Sequence, residues 1–124
     1  MRKFVVRIVV FPRYTTLVGA TAVYTMPIDV REFGQANFIA WMGTGIGATP
    51  AEVEFKVQES ADLSIWTDIE TITPSAGAET VADVTFDLPW LRVKATVTGG
   101  DPGVSFWMTA ELVRREGSAE GEAA

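Results

Sequence analysis

The side chains available for chemistry are few. There is no histidine and no cysteine among the 124 residues. That removes the commonest general base, the commonest metal ligand and any thiolate nucleophile. Carboxylates remain, and a pair of them can cleave a glycosidic bond when they flank one site. Asp62, Asp68, Asp83, Asp87 and Asp101 all read as turn or strand-end residues, where aspartate is favoured for bonding to nearby backbone. No spacing pairs them, so the chain is expected not to be an enzyme. Asp62 and Asp68 flank one turn and could contribute oxygen ligands to calcium. No ligand spacing of a known type accompanies them, so no metal and no cofactor are expected.

Three further features could carry function. Gly43-Thr44-Gly45-Ile46-Gly47 has the glycine content of a phosphate-cradling loop. Such loops open a helix whose amides bind the anion, whereas here Pro50 and a strand follow, so a mobile connector is expected. Arg2, Lys3, Arg7 and Arg13 form a basic N-terminal run interleaved with Phe4, Phe11 and Tyr14. The chain as a whole is acidic, with net charge −6, which argues against a nucleic-acid or phosphate-binding surface. The run suits contact with an acidic protein surface instead. Finally, Trp41 and Trp107 fall opposite the apolar sets of their strands. An aromatic on a sheet's outer face marks either a subunit contact or a sugar platform, and subunit contact is the preferred reading. Trp66 is expected to plug the core beneath its turn.

The elements that would position these residues are strands. Val53, Phe55 and Val57 alternate with Glu52, Glu54, Lys56 and Gln58, the pattern of a half-buried strand. Phe38, Ala40 and Met42 alternate with Asn37, Ile39 and Trp41. Leu91 to Val97 and Val104 to Leu112 alternate likewise around Gly99-Gly100-Asp101-Pro102-Gly103, a turn that predicts a hairpin. Phe4 to Phe11 is apolar on both faces, which predicts a strand covered on both sides, within the domain or by a neighbouring subunit, and ended by Pro12. Tyr14 to Val18 and Thr21 to Met26 are extended and broken by Gly19. No stretch shows helical periodicity. The fold class is therefore all-β, an antiparallel jelly-roll-like β-sandwich of seven or eight strands with extended terminal arms. Residues 1–113 form one domain, with 1–22 as an extended N-terminal strand or arm, and 114–124 form a polar tail. A tail with too little apolar content to fold alone is expected to settle on a partner.

No apolar run is long enough for a membrane-spanning helix. Met1-Arg2-Lys3, the apolar stretch to Phe11, and Ala20-Thr21-Ala22 superficially resemble a secretory signal. Arg7 interrupts the apolar run, so synthesis in a host cytoplasm without cleavage is expected.

Val57-Gln58-Glu59-Ser60-Ala61-Asp62, followed by Trp66-Thr67-Asp68-Ile69, resembles a pattern of galactose-binding-like and discoidin-like jelly rolls. Leu91-Arg92-Val93-Lys94 before a glycine-rich turn and a closing strand fits the same pattern. Small jelly rolls of this kind are also similar to the decoration, or cement, proteins of tailed-bacteriophage capsids, which the short acidic chain with extended ends resembles more. That resemblance implies a structural virion protein that binds the outside of a capsid lattice and reinforces joints between coat subunits. The implied partners are the major capsid protein and neighbouring copies of the chain, in a homotrimer, and the implied location is the capsid surface. No direct nucleic-acid or membrane partner is expected. Candidate partner-binding residues are Arg2, Phe4, Arg7, Phe11, Arg13, Tyr14, Trp41, Trp107, Arg114 and Arg115. The alternatives are a carbohydrate-binding module, with Trp41 or Trp90 stacking on sugar, and a phage tail or fibre protein.

Overall fold

The computed structural model describes residues 5–115. Arg2, Phe4 and the tail 116–124 lie outside the described residues. Nine strands are seen among the described residues: β1 (Val5–Val18), β2 (Thr21–Tyr24), β3 (Ile28–Asp29), β4 (Phe33–Met42), β5 (Thr49–Ser60), β6 (Thr67–Ile72), β7 (Glu79–Thr85), β8 (Trp90–Gly100) and β9 (Gly103–Arg114). They form two antiparallel sheets packed face to face. One has the order β1-β9-β4-β7, the other β2-β8-β5-β6, with β3 also pairing β8.

The alternation read in the sequence is the alternation that builds the core. Ala36, Phe38, Ala40 and Met42 from β4 are buried, as are Val53, Phe55 and Val57 from β5, Leu91 to Val97 in alternation from β8, and Phe106 to Leu112 in alternation from β9. Burying one such side chain contributes about 1.5–3 kcal/mol. At the centre, Phe55 of one sheet meets Phe11 and Phe106 of the other at ring separations of 5.8 and 5.5 Å. Phe11 and Phe106 are themselves 5.4 Å apart, edge to face.

Of the two forms expected at the N-terminus, strand or arm, β1 is a strand, pairing with β9 from Val5↔Val113 to Val18↔Gly103. The rest of the expectation for this segment is revised. Pro12 does not end it. Register shifts between Val9 and Phe11, and again between Phe11 and Thr15, absorb the proline into bulges of a sheet-edge strand, where no donor to a further strand is needed. The first shift also turns both Val10 and Phe11 inward, so Phe11 is a core residue. Val5 and Val9, on the opposite face, are left exposed, so the domain itself covers the strand on one side only.

The turn at Gly99–Gly103 does not make a hairpin. β8 belongs to one sheet and β9 to the other, so the turn is an arch between layers. Local turn chemistry specifies a chain reversal, but which strand each arm pairs with depends on long-range register. The arch is fixed by Gly99 (φ 139°) and Asp101 (φ 48°). The connector 43–48 is docked on it by a mutual backbone bond pair between Ile46 and Gly103 and by Ala48 N–H donating to Gly100 O at 2.8 Å. A side chain at Gly47 would collide with the Gly100 carbonyl, so this connector is pinned by close approach and is not a loose tip.

Candidate functional site

The outer face of the four-stranded sheet brings four of the sequence-predicted residues together. Register pairs Trp41 of β4 with Trp107 of β9, and both indoles lie on the outer face, as the alternation requires. They stack with ring centres 6.4 Å apart and planes 14° from parallel. On the far side of Trp107 the second bulge of β1 leaves Pro12, Arg13 and Tyr14 outside the ladder, and Thr15 Oγ1 closes it by donating to Pro12 O at 2.6 Å. The Arg13 guanidinium then sits over Trp107, 4.4 Å from the ring centre. Covered on both faces, Trp107 is only 7% exposed, while Trp41 is half-buried.

Tyr14 takes a left-handed conformation at φ 67°, which swings its ring clear of the sheet to 87% exposure. Arg13, Tyr14, Trp41, Thr44, Glu79 and Trp107 are among the residues lining a half-open cleft of about 710 Å3. Its rim is held by Gly43 N–H donating to Ser105 O and Gly77 N–H donating to Met42 O, both at 2.8 Å. The same end of the sandwich carries two more exposed apolar side chains. Val18 and Ile46 are 82 and 69% exposed, and both are paired with Gly103 across the arch. Neither was anticipated from the sequence, because only the arch brings them together.

The second sheet carries an outer-face row that sequence reading missed. Arg92 of β8 lies between the rings of Tyr24 and Trp66, 4.2 and 4.3 Å from their centres. Its Nε donates to Gln58 Oε1 at 2.7 Å, and Gln58 Nε2 donates to Asp68 Oδ1 at 2.6 Å. Lys56 Nζ is 3.5 Å from the other Asp68 oxygen. Trp66 is therefore half-buried against a guanidinium on the surface and does not plug the core. Its Nε1 donates to Leu63 O. Outward placement of Arg92 was readable from its alternation, but its two ring partners come from other strands.

The aspartates flanking the turn after β5 are engaged by protein groups. Asp62 Oδ1 accepts from Ser64 N–H and Ile65 N–H and from the buried Ser60 hydroxyl. The Ile65 amide above all, then that of Ser64, holds its carboxyl below the usual aspartate range. The bond from Gln58, followed by the charge of Lys56, does the same for Asp68. No group of three acidic residues able to hold a metal occurs among the described residues.

The remaining predicted residues are spread out. Arg7 is on the outer face of β1, with Nε 2.7 Å from Glu111 Oε2. Phe11 is in the core. Arg114 pairs with Glu32 at 3.0 Å. Arg115 donates from its side chain to Phe33 O at 2.7 Å and from its backbone to Glu32 O at 2.9 Å. The end of β9 is thus fastened to the corner before β4, where a loose tail was expected to begin.

No protein-family model matches the sequence, and no curated protein matches it. Solved structures do share the fold. The chain is similar to the PBSX exported protein XepA, with TM-score 0.70 at 15% identity over 90% of this chain and 38% of that one. It is similar to the infectious bursal disease virus VP2 subviral particle, with TM-score 0.56 at 11% identity over 97% of this chain and 34% of that one. It also resembles a structure of Bacillus endospore appendages, described as disulfide-linked pili, with TM-score 0.53 at 19% identity over 93% of each chain. The chain thus spans little more than a third of XepA and of VP2, and nearly the whole of the pilus chain. At these identities the likeness is one of fold.

Proposed function

We propose that this chain is a non-enzymatic structural component of a virion, a β-sandwich that attaches to the outside of a phage capsid lattice and stabilises joints between coat subunits. The observation that carries this reading is the exposure of three large apolar side chains, Tyr14, Val18 and Ile46, toward one end of a sandwich whose core is formed without them. Large apolar side chains left this exposed, beside a cleft lined by two indoles, are what an interface core is made of. A standard interface buries about 1,600 Å2, and repeated sites on a lattice gain avidity because each attachment raises the local concentration for the next. A fold shared with the PBSX exported protein XepA and with VP2 of a viral particle supports the reading. Co-sedimentation with assembled phage coat-protein particles tests it. The purified chain should pellet with particles, and Tyr14→Ser/Ile46→Ser should stay in the supernatant. A chain that never pellets overturns it.

A second reading is favoured by one observation. Trp41 offers a half-exposed indole beside Thr44, Glu79 and Arg13, the mix of aromatic face and polar groups on which a sugar ring stacks. Tryptophan fluorescence titrated with an oligosaccharide panel would then shift in the wild type and not in Trp41→Ala. No response from any sugar removes this reading.

A further inference from the structure

The two edges of the four-stranded sheet are complementary. On its outer face, β-ladder register lines up rows that run across all four strands. Arg7, Glu111, Asn37 and Asp83 form one row, Val9, Thr109, Ile39 and Val81 the next, and Val5, Val113, Gln35 and Thr85 a third. The row through Val9 ends in an exposed apolar side chain on each side, since Val9 is 65% and Val81 64% exposed. The row through Arg7 ends in a cation on β1 and a carboxylate on β7. Arg7 bonds Glu111 through Nε, and its side chain is 83% exposed, so the rest of the guanidinium fork stays open to solvent beside the sheet edge.

We propose that a second copy of this chain occupies this edge, with residues 5–9 of one copy pairing antiparallel to residues 81–85 of the next, so that the four-stranded sheet continues from copy to copy. The strand directions permit it. β1 and β7 lie three steps apart in an antiparallel sheet, so they run in opposite senses, and a neighbour brought alongside presents the correct direction. Keeping each row straight puts Arg7 against Asp83, Val9 against Val81 and Val5 against Thr85. Opposite-charge and apolar cross-strand pairs are the stabilising ones.

Other registers are worse. A shift of two residues puts Arg7 against Val81 or Thr85, and a shift of one exchanges the faces of every side chain. β7 against β7, centred to join the two Val81 side chains, sets Glu79 against Asp83. β1 against β1, centred on Arg7, sets two guanidiniums together. The bulge that begins after Val9 limits the pairing segment at one end. Tyr14, Val18 and Ile46 stay outside it, so the inference does not depend on the capsid reading. A head-to-tail contact of this type closes into a ring or runs on as a filament.

The absence of native cysteine makes the test clean. Val9→Cys and Val81→Cys are made singly and together in the full chain, and melting is compared with the wild type to confirm folding. The purified protein, without particles, is oxidised and run on a non-reducing gel. An internal bond is excluded in the double variant, because three inter-strand steps of about 4.8 Å separate the edges and a disulfide needs Cα atoms within about 7 Å. The expected result is a ladder reaching trimer or beyond for the double variant. Dimer and nothing larger is expected when the two single variants are mixed, and monomer for each alone. A double variant that stays monomeric overturns the proposal. So does a Val9→Cys single variant that dimerises as fully as the mixture, which would mean symmetric β1 pairing.

Discussion

Separating Trp41 from Trp107 gives the sharpest test of how the cleft is held. Trp107 is covered by Trp41 on one face and Arg13 on the other. Trp107→Ala should therefore cost close to 3 kcal/mol, the lower end of the buried-tryptophan range, since the residue sits on a sheet face and not in the core. Trp41 is half-buried. About 100 Å2 of apolar surface at 25 cal/mol/Å2 gives a loss of about 2.5 kcal/mol for Trp41→Ala. The near-parallel rings add a pairwise term of about 0.5–1.5 kcal/mol beyond area. The double variant should accordingly lose about 1 kcal/mol less than the two singles together. Urea unfolding followed by far-ultraviolet circular dichroism measures all four corners without relying on tryptophan fluorescence. A coupling below about 0.3 kcal/mol, within the additivity error for independent sites, would refute the stack as an energetic unit. Losses for a chain of this size are read against a total of only about 5–15 kcal/mol.

Three further outcomes follow from the packing. Arg92→Ala should lose about 1–3 kcal/mol by chemical denaturation, from two cation–π contacts and the bond to Gln58, and Arg92→Lys should not restore it, because an ammonium cannot stack between Tyr24 and Trp66 as a planar fork does. Asp62 and Asp68 have carboxyls held below the ordinary value of 3.8 in the fold; their contribution is present above that value and lost as pH falls through the lowered ones, so Asp62→Asn/Asp68→Asn should flatten the acid limb of a stability–pH curve below about pH 4, and an unchanged limb contradicts this. Phe55→Ala, at the junction of both sheets, should cost about 3–5 kcal/mol in the same denaturation assay, and a loss under 2 would mean that the Phe11–Phe106 pair closes over the gap.

Much of the fold was legible because alternation in β4, β5, β8 and β9 reports a face directly. Period-two pattern says which side chains share a side, and those four strands are long enough to make it plain. Three things were not legible, for physical reasons. The Gly99–Gly103 turn looks the same whether its arms pair or part, since the choice rests on β1 and β4 taking the two edges of β9 and leaving none for β8. Pro12 reads as a terminator until β1 is known to be an edge, where its missing donor costs nothing. Phe11 reads as an outward residue until the bulge before it flips the face. At the site, the sequence placed Trp41 and Trp107 on outer faces but could not show that they stack. That needs the register of two strands far apart in the chain. Arg13 and Tyr14 were picked out for charge and aromaticity, while their positions come from the second bulge.

The central claim is that a self-sufficient sandwich presents the Tyr14–Val18–Ile46 end to a larger assembly. Amide hydrogen exchange, compared between free chain and chain bound to coat particles, tests it most directly. Protection should rise at residues 13–19 and 43–48 on binding while β6 exchanges as before. A bound chain whose protection rises at β6 and not at that end would contradict the account.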